Sequence, residues 1–137
     1  VAQTPLAAPE MEIAAAMQGI HAQRLVRMSC IHCKEAKEPD AEELLLLKPE
    51  QRHGNWMRGL GCPACEHKGM RGRKPIHDLL YISPGVRELI VSDAPLAEVE
   101  AQARREGKTS LFDHALALAQ DGMIPLSEAL HVTMVEE

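Results

Sequence analysis

The residues best placed to do chemistry are four cysteines, arranged as Cys30-x2-Cys33 and Cys62-x2-Cys65 with 28 residues between the pairs. Two residues between paired thiols let one tight turn present both sulfurs to a single ion. Two such turns supply four thiolates in the tetrahedron that zinc accepts. Neither pair decides the matter alone, since a lone Cys-x2-Cys serves redox chemistry, metal binding or neither. Together they make a structural metal site, with Cys30, Cys33, Cys62 and Cys65 as ligands, the leading reading. Two disulfides are the competing one. They need an oxidising compartment, and a bond within either pair closes a small strained ring, although crossed pairing between the motifs stays open. A thioredoxin-like site would want a single pair in a βαβ context. Iron also suits four thiolates. Lys34 and Glu66 follow the second cysteine of each pair, where redox-iron knuckles carry glycine, and this favours zinc. A site with four protein ligands is closed, so it holds a fold together and leaves no position for substrate.

The remaining reactive side chains are less specific. His32 lies inside the first knuckle and His67 just after the second, and either could replace a cysteine, but four sulfurs already fill the site. His21, His77, His114 and His131 read as surface residues. Lys68, Arg71, Arg73 and Lys74 form a locally basic stretch in an acidic chain. Such a stretch is most often a solvated face, with a subunit interface or a phosphate contact as alternatives. No G-x-x-x-x-G-K-[ST] is present, nor a G-x-G-x-x-G opening a helix, so no phosphate cradle is visible. Nor is there a Ser/His/Asp or paired-carboxylate arrangement. On its own residues the chain is expected to have no catalytic or cofactor-binding residue and to be structural.

The elements that must position the cysteines are short. The chain has 137 residues, 45% of them hydrophobic, but only one Trp, one Tyr and one Phe. Its core therefore consists of Leu, Ile, Val, Ala and Met, and it lacks the aromatic platforms on which single-stranded nucleic acid stacks. A net charge of −5 further disfavours a nucleic-acid partner. No apolar run approaches the roughly 20 residues a membrane helix needs. Residues 1–9 read as a linker, and Glu10 to Arg27 as a helix with Ile13, Met17, Ile20 and Leu25 on one face, continued by Met28. Asp40, with Glu43 three residues on, predicts a capped short helix. A strand is expected around Trp56 to Arg58, and a strand or hairpin over residues 69–82, with Pro75 restricting it to an edge or bulge. Four short helices should follow, opened by Ser83-Pro84, Pro95, Ser110 and Pro125, with Gly107 and Gly122 ending the second and third. The fold expected is α+β and mostly helical: tetracysteine zinc knuckles with a small β-hairpin, then a cluster of short helices. Three divisions follow: 1–28, 29–82 as the zinc-binding subdomain, and 83–137.

Several segments together resemble one family. GIHAQRLVRMSCIHCKE is similar to the AQRL-V-R and C-x-x-C-K segment of the secretion ATPases of type II secretion and type IV pilus assembly. GCPACEHKGMRGRKPIHDLL resembles their second cysteine motif with its G-x-x-G-R element, and VRELI, AQARREGKTSL and LSEALHVT follow in order. The resemblance covers residues 10 to 133. Met70, Pro75, Asp78 and Ile31 depart from the usual pattern without removing a ligand, and leave the strand after the second knuckle less certain. What the resemblance implies is a cytoplasmic, hexameric P-loop ATPase as parent, held near the inner membrane by its partners. Its nucleotide site, with ATP and magnesium, would lie upstream of Val1. This chain would then be the end of the catalytic domain, 1–28 containing its linker and final helix. Expected partners are neighbouring ATPase subunits and an inner-membrane platform protein. Arg24 would fall at the edge of the nucleotide-binding core, with a plain helix-surface arginine as the alternative. The start at Val1 is read as that of an excised piece, ahead of a cleaved secretory signal. A stand-alone zinc-ribbon adaptor, binding protein or nucleic acid through Lys68 to Lys74, is the alternative to this whole reading.

Overall fold

A computed structural model of the protein describes residues 18–134. The elements run β1 (Gly19–Ser29), β2 (Lys34–Ala36), α1 (Ala41–Leu45), β3 (Met57–Gly59) and β4 (Met70–Tyr81). Four helices follow, α2 (Pro84–Val91), α3 (Leu96–Arg105), α4 (Leu111–Gln120) and α5 (Leu126–Met134). The fold is α+β, with two two-stranded sheets, β1 with β4 and β2 with β3. β2 and β3 are antiparallel, with Lys34 opposite Gly59, Glu35 opposite Arg58 and Ala36 opposite Met57. Ile82 N–H donates to the Gln18 carbonyl and Cys30 N–H to that of Gly69. These contacts place each strand's start against the other's end, so β1 and β4 are antiparallel too.

The first strand corrects the expected helix over Glu10 to Arg27. Its residues 10–17 lie outside the described residues, and residues 19–29 are extended. Val26 is buried, Met28 half-buried, and Leu25 and Arg27 between and beside them are exposed, which is the alternation of a strand. The apolar positions are too sparse to separate a period of 3.6 from one of 2, and pairing with β4 decides between them. The stretch 69–82 is accordingly one strand paired with a distant partner, where a local hairpin was an alternative expectation.

The helices begin where their caps predict. The Asp40 N–H donates to Glu43 Oε1 at α1. Ser83 Oγ accepts from the Val86 N–H, 3.1 Å away. At α4, Ser110 Oγ accepts from the Asp113 N–H, and Asp113 Oδ2 accepts from the Ser110 N–H in return. Gly122 stands just past the end of α4, at a φ of +79° that favours glycine. A Cβ there would also come within 2.7 Å of Met57 and 2.9 Å of the Asn55 carbonyl.

The chain forms two compact units, one from residues up to Ala22 with Asp78–Thr109, the other from Gln23–His77 with Ser110 onward. Their boundaries fall inside the expected divisions 1–28, 29–82 and 83–137: within β1, within β4, and between α3 and α4. The larger unit packs Val26, Trp56, Ile76, Leu116, Ile124 and Leu130 with smaller neighbours into one core. The smaller one closes on Ile82, Val86 and Val99.

Candidate metal centre

Cys30 is fully buried at the end of β1, and its carbonyl accepts from the Cys33 and Lys34 N–H groups, closing the first knuckle. The second begins in a single 3-10 turn, Pro63–Cys65, opened by Cys62. Glu66 and His67 then both take positive φ, 57° and 63°. That left-handed pair costs about 1–2 kcal/mol per residue. It turns the chain so that His67 N–H reaches the Cys62 carbonyl, and Gly69 N–H reaches Cys65 Sγ at 3.1 Å. The chain crosses itself closely here: a Cβ on Gly59 would collide with the Gly69 carbonyl.

These turns bring the four sulfurs together. Cys30–Cys62, Cys33–Cys65 and Cys62–Cys65 are each 3.8 Å apart, and all four Sγ atoms lie within 4.8 Å of one another. Tetrahedral thiolates about 2.3 Å from a common ion stand about 3.8 Å from each other, so the group can hold one metal ion. All four cysteines are free thiols, not disulfides. Among the described residues no histidine joins the group; His32 and His67 are exposed.

Backbone amides already favour negative charge on these sulfurs. Gly61 N–H donates to Cys33 Sγ at 3.2 Å, and Cys62 N–H to Cys65 Sγ at 3.3 Å. Burial works against ionisation of Cys65, but the N–H groups of Cys62 and Gly69 outweigh it and hold the thiol down at about 6. Cys33 goes the other way. Burial, aided by the neighbouring sulfurs and opposed by the Gly61 N–H, pushes it up to about 11. One proton therefore leaves early, from Cys65, and the charge it leaves there discourages ionisation of Cys33. A cation at the centre removes that repulsion, which is why metal binding releases thiol protons.

Three contacts tie the knuckles to the helices of the same unit. Lys34 Nζ donates to the Gly122 carbonyl at 2.9 Å, and Ser29 N–H to the Met123 carbonyl at 3.0 Å. Arg27 holds Glu128 through Nε at 3.2 Å, Nη2 at 2.9 Å and its backbone N–H at 3.0 Å. The Glu128 side chain is only 4% exposed, that of Arg27 60%. Burial raises the Glu128 carboxyl, but the hydrogen bonds and charge of Arg27 overcome it and hold the group below the usual carboxylate range. Sequence reasoning missed this pair. Its partners are 101 residues apart, and no local pattern links them.

The other candidate residues fall elsewhere. Arg24 is half-buried and donates to the Val132 carbonyl at 3.3 Å. His77 N–H donates to His114 Nδ1, and the two rings stack 5.9 Å apart. Lys68, Arg71 and Arg73 are exposed and Lys74 half-buried around the start of β4.

The fold and site define a small α+β module built around a tetrathiol centre able to hold one metal. Residues 4–131 match the type II/IV secretion system protein family, and the chain belongs to that family. It is 37% identical over 125 residues to a type IV pilus assembly ATPase PilB of Thermus thermophilus, covering 89% of this chain and 14% of that protein. To a type II secretion system ATPase E of Vibrio cholerae it is 38% identical over 122 residues, 88% of this chain and 24% of the relative. A type II secretion system protein E of Pseudomonas aeruginosa is 33% identical over 129 residues, 90% of this chain and 25% of that protein. The chain thus spans a quarter or less of the length of these curated relatives.

Proposed function

We propose that this chain is the zinc-binding C-terminal portion of a cytoplasmic, hexameric P-loop ATPase that powers type II secretion or type IV pilus assembly. ATP and magnesium would be held by residues outside this chain, and the module itself would be structural. Family membership and the names of the relatives support the parent's activity. The observation that carries the module's role is the convergence of Cys30, Cys33, Cys62 and Cys65 to within 4.8 Å.

Zinc suits the donor set, which is all sulfur with tetrahedral spacing. Bound there, it would be held by Cys30, Cys33, Cys62 and Cys65 and would supply a structural crosslink between the two knuckles. The chain's own residues do the rest. Amide N–H groups of Gly61, Cys62 and Gly69 stabilise thiolate charge. Lys34 and Arg27 fasten β1 and the first knuckle to the turn before α5 and to α5 itself. The knuckles thereby join segments that the small core alone would leave loosely tied.

Neighbouring ATPase subunits and an inner-membrane platform protein are the partners this reading carries. Among the described residues no helix is long and apolar enough to cross a membrane. The test compares the purified chain with its parent. The chain should carry one zinc and hydrolyse no ATP, and the parent with Cys62→Ser should lose its zinc and its secretion or pilus assembly. ATP hydrolysis by the chain alone, or a fully working parent with all four cysteines replaced, contradicts the proposal.

A further inference from the structure

The larger unit contains a cleft of about 690 Å³ between the knuckles and the first turn of α5, within the size range of small-molecule sites. Arg27, Lys37, Arg58, Lys68 and His131 line it, contributed by β1, the loop after β2, β3, the second knuckle and α5. Four permanent cations thus converge in a chain whose net charge is −5. The one acidic side chain on the wall, Glu128, is already neutralised by Arg27. That pairing uses Nε and Nη2 of Arg27 and leaves Nη1 without a hydrogen bond among the described residues.

The other cations are not spent on the fold. Lys37 and Arg58 make no side-chain hydrogen bond or ion pair among the described residues, and both are exposed. Glu35, opposite Arg58 in the ladder, forms no ion pair with it. Among the described residues Lys68 meets only Glu66, at 3.5 Å and largely exposed to solvent, an arrangement that contributes little. Like charges brought together without partners repel, so the arrangement costs stability unless an anion offsets it. Arg71 and Arg73 line a smaller neighbouring cleft that also includes Arg27 and Lys68, and extend the same potential.

The geometry points to this cleft as a binding site for a compact, multiply charged phosphate-bearing anion. Guanidinium forks and ammonium groups are the donors that phosphate oxygens take best. The site is concave, so a flat lipid surface would reach only its rim, while a di- or triphosphate group fits within. The pairing of Glu128 with Arg27 keeps the carboxylate from repelling such a ligand. The proposal stands on this cleft alone and does not depend on where the parent binds ATP.

The test is titration of the purified chain with inorganic pyrophosphate, with bound metal measured before and after. Saturable one-to-one binding is expected, weakening as salt rises from about 0.01 M to about 0.15 M. Lys37→Gln with Arg58→Gln should weaken it about tenfold or more, the effect of losing charge-assisted hydrogen bonds. Arg104→Gln with Arg105→Gln, likewise exposed cations on α3, should leave it unchanged. Should the Lys37/Arg58 double variant fail to fold, each single variant is expected to weaken binding measurably. No saturable binding overturns the proposal, as does equal loss in both double variants or unchanged affinity in both single ones. Retention only on phosphatidylglycerol vesicles, without pyrophosphate binding, overturns it in favour of a membrane surface.

Discussion

Each of the four sulfurs sits where a backbone turn puts it, and three backbone N–H groups point at Cys33 and Cys65. Replacing Cys62 with serine removes one of four donors while leaving the turn intact. The variant should retain no metal after gel filtration in metal-free buffer, whereas the unsubstituted chain keeps one ion, as metal analysis would show. Glu128 carries a separate prediction. Its carboxyl is held below the ordinary range, so it contributes stability that is complete above the unfolded carboxylate value of about 4.3. That contribution is lost as pH falls through the lower folded value. Unfolding midpoints measured against pH should show this acid loss, and Glu128→Gln should flatten it. Arg27→Ala should cost about 2 kcal/mol at neutral pH, because it leaves a buried carboxylate with only the backbone N–H of residue 27 as donor and no opposite charge. The cysteines were legible from their spacing because two short turns encode their own geometry. Arg27 and Glu128 were not, since only the tertiary fold brings them together. The cationic cleft lay between the two cases. Lys68, Arg71 and Arg73 stood out as a run, but Lys37 and Arg58 join them only through the fold.

At the scale of elements, punctuation proved readable wherever it was local. Ser83, Asp40 and Ser110 sit at the helix starts expected of them, and Gly107 and Gly122 just beyond the ends. Ser110→Ala should destabilise α4 by about 1 kcal/mol, visible as a lower midpoint in denaturant. Gly122→Ala should cost more, about 2 kcal/mol. It forces a positive φ on an L residue and presses a methyl group against Met57 and the Asn55 carbonyl. β1 was misread because a strand held by a partner some 50 residues away leaves only a thin pattern in its own letters. Val26 and Met28 alone mark its inward face. The same distance explains why residues 69–82 form one long strand: the partner that fixes it is β1.

For the whole molecule, the 137-residue chain belongs to the secretion family and spans a quarter or less of the length of the relatives it matches. The two compact units interleave segments from both ends of the described chain, an arrangement that no reading of consecutive stretches could give. The larger unit has its own core and the tetrathiol centre. In zinc-finger peptides a structural ion supplies about 10–16 kcal/mol, which is comparable to the whole stability of a typical domain. Metal removal should therefore unfold this unit cooperatively, and hydrogen exchange should show residues 23–77 and 110–134 losing protection together. The most direct test of the account is the metal content of the purified, reduced chain, measured alongside its free thiols. The account predicts one zinc per chain, with four thiols reacting only after chelation. A folded protein without metal, whose thiols react freely from the start, would contradict it.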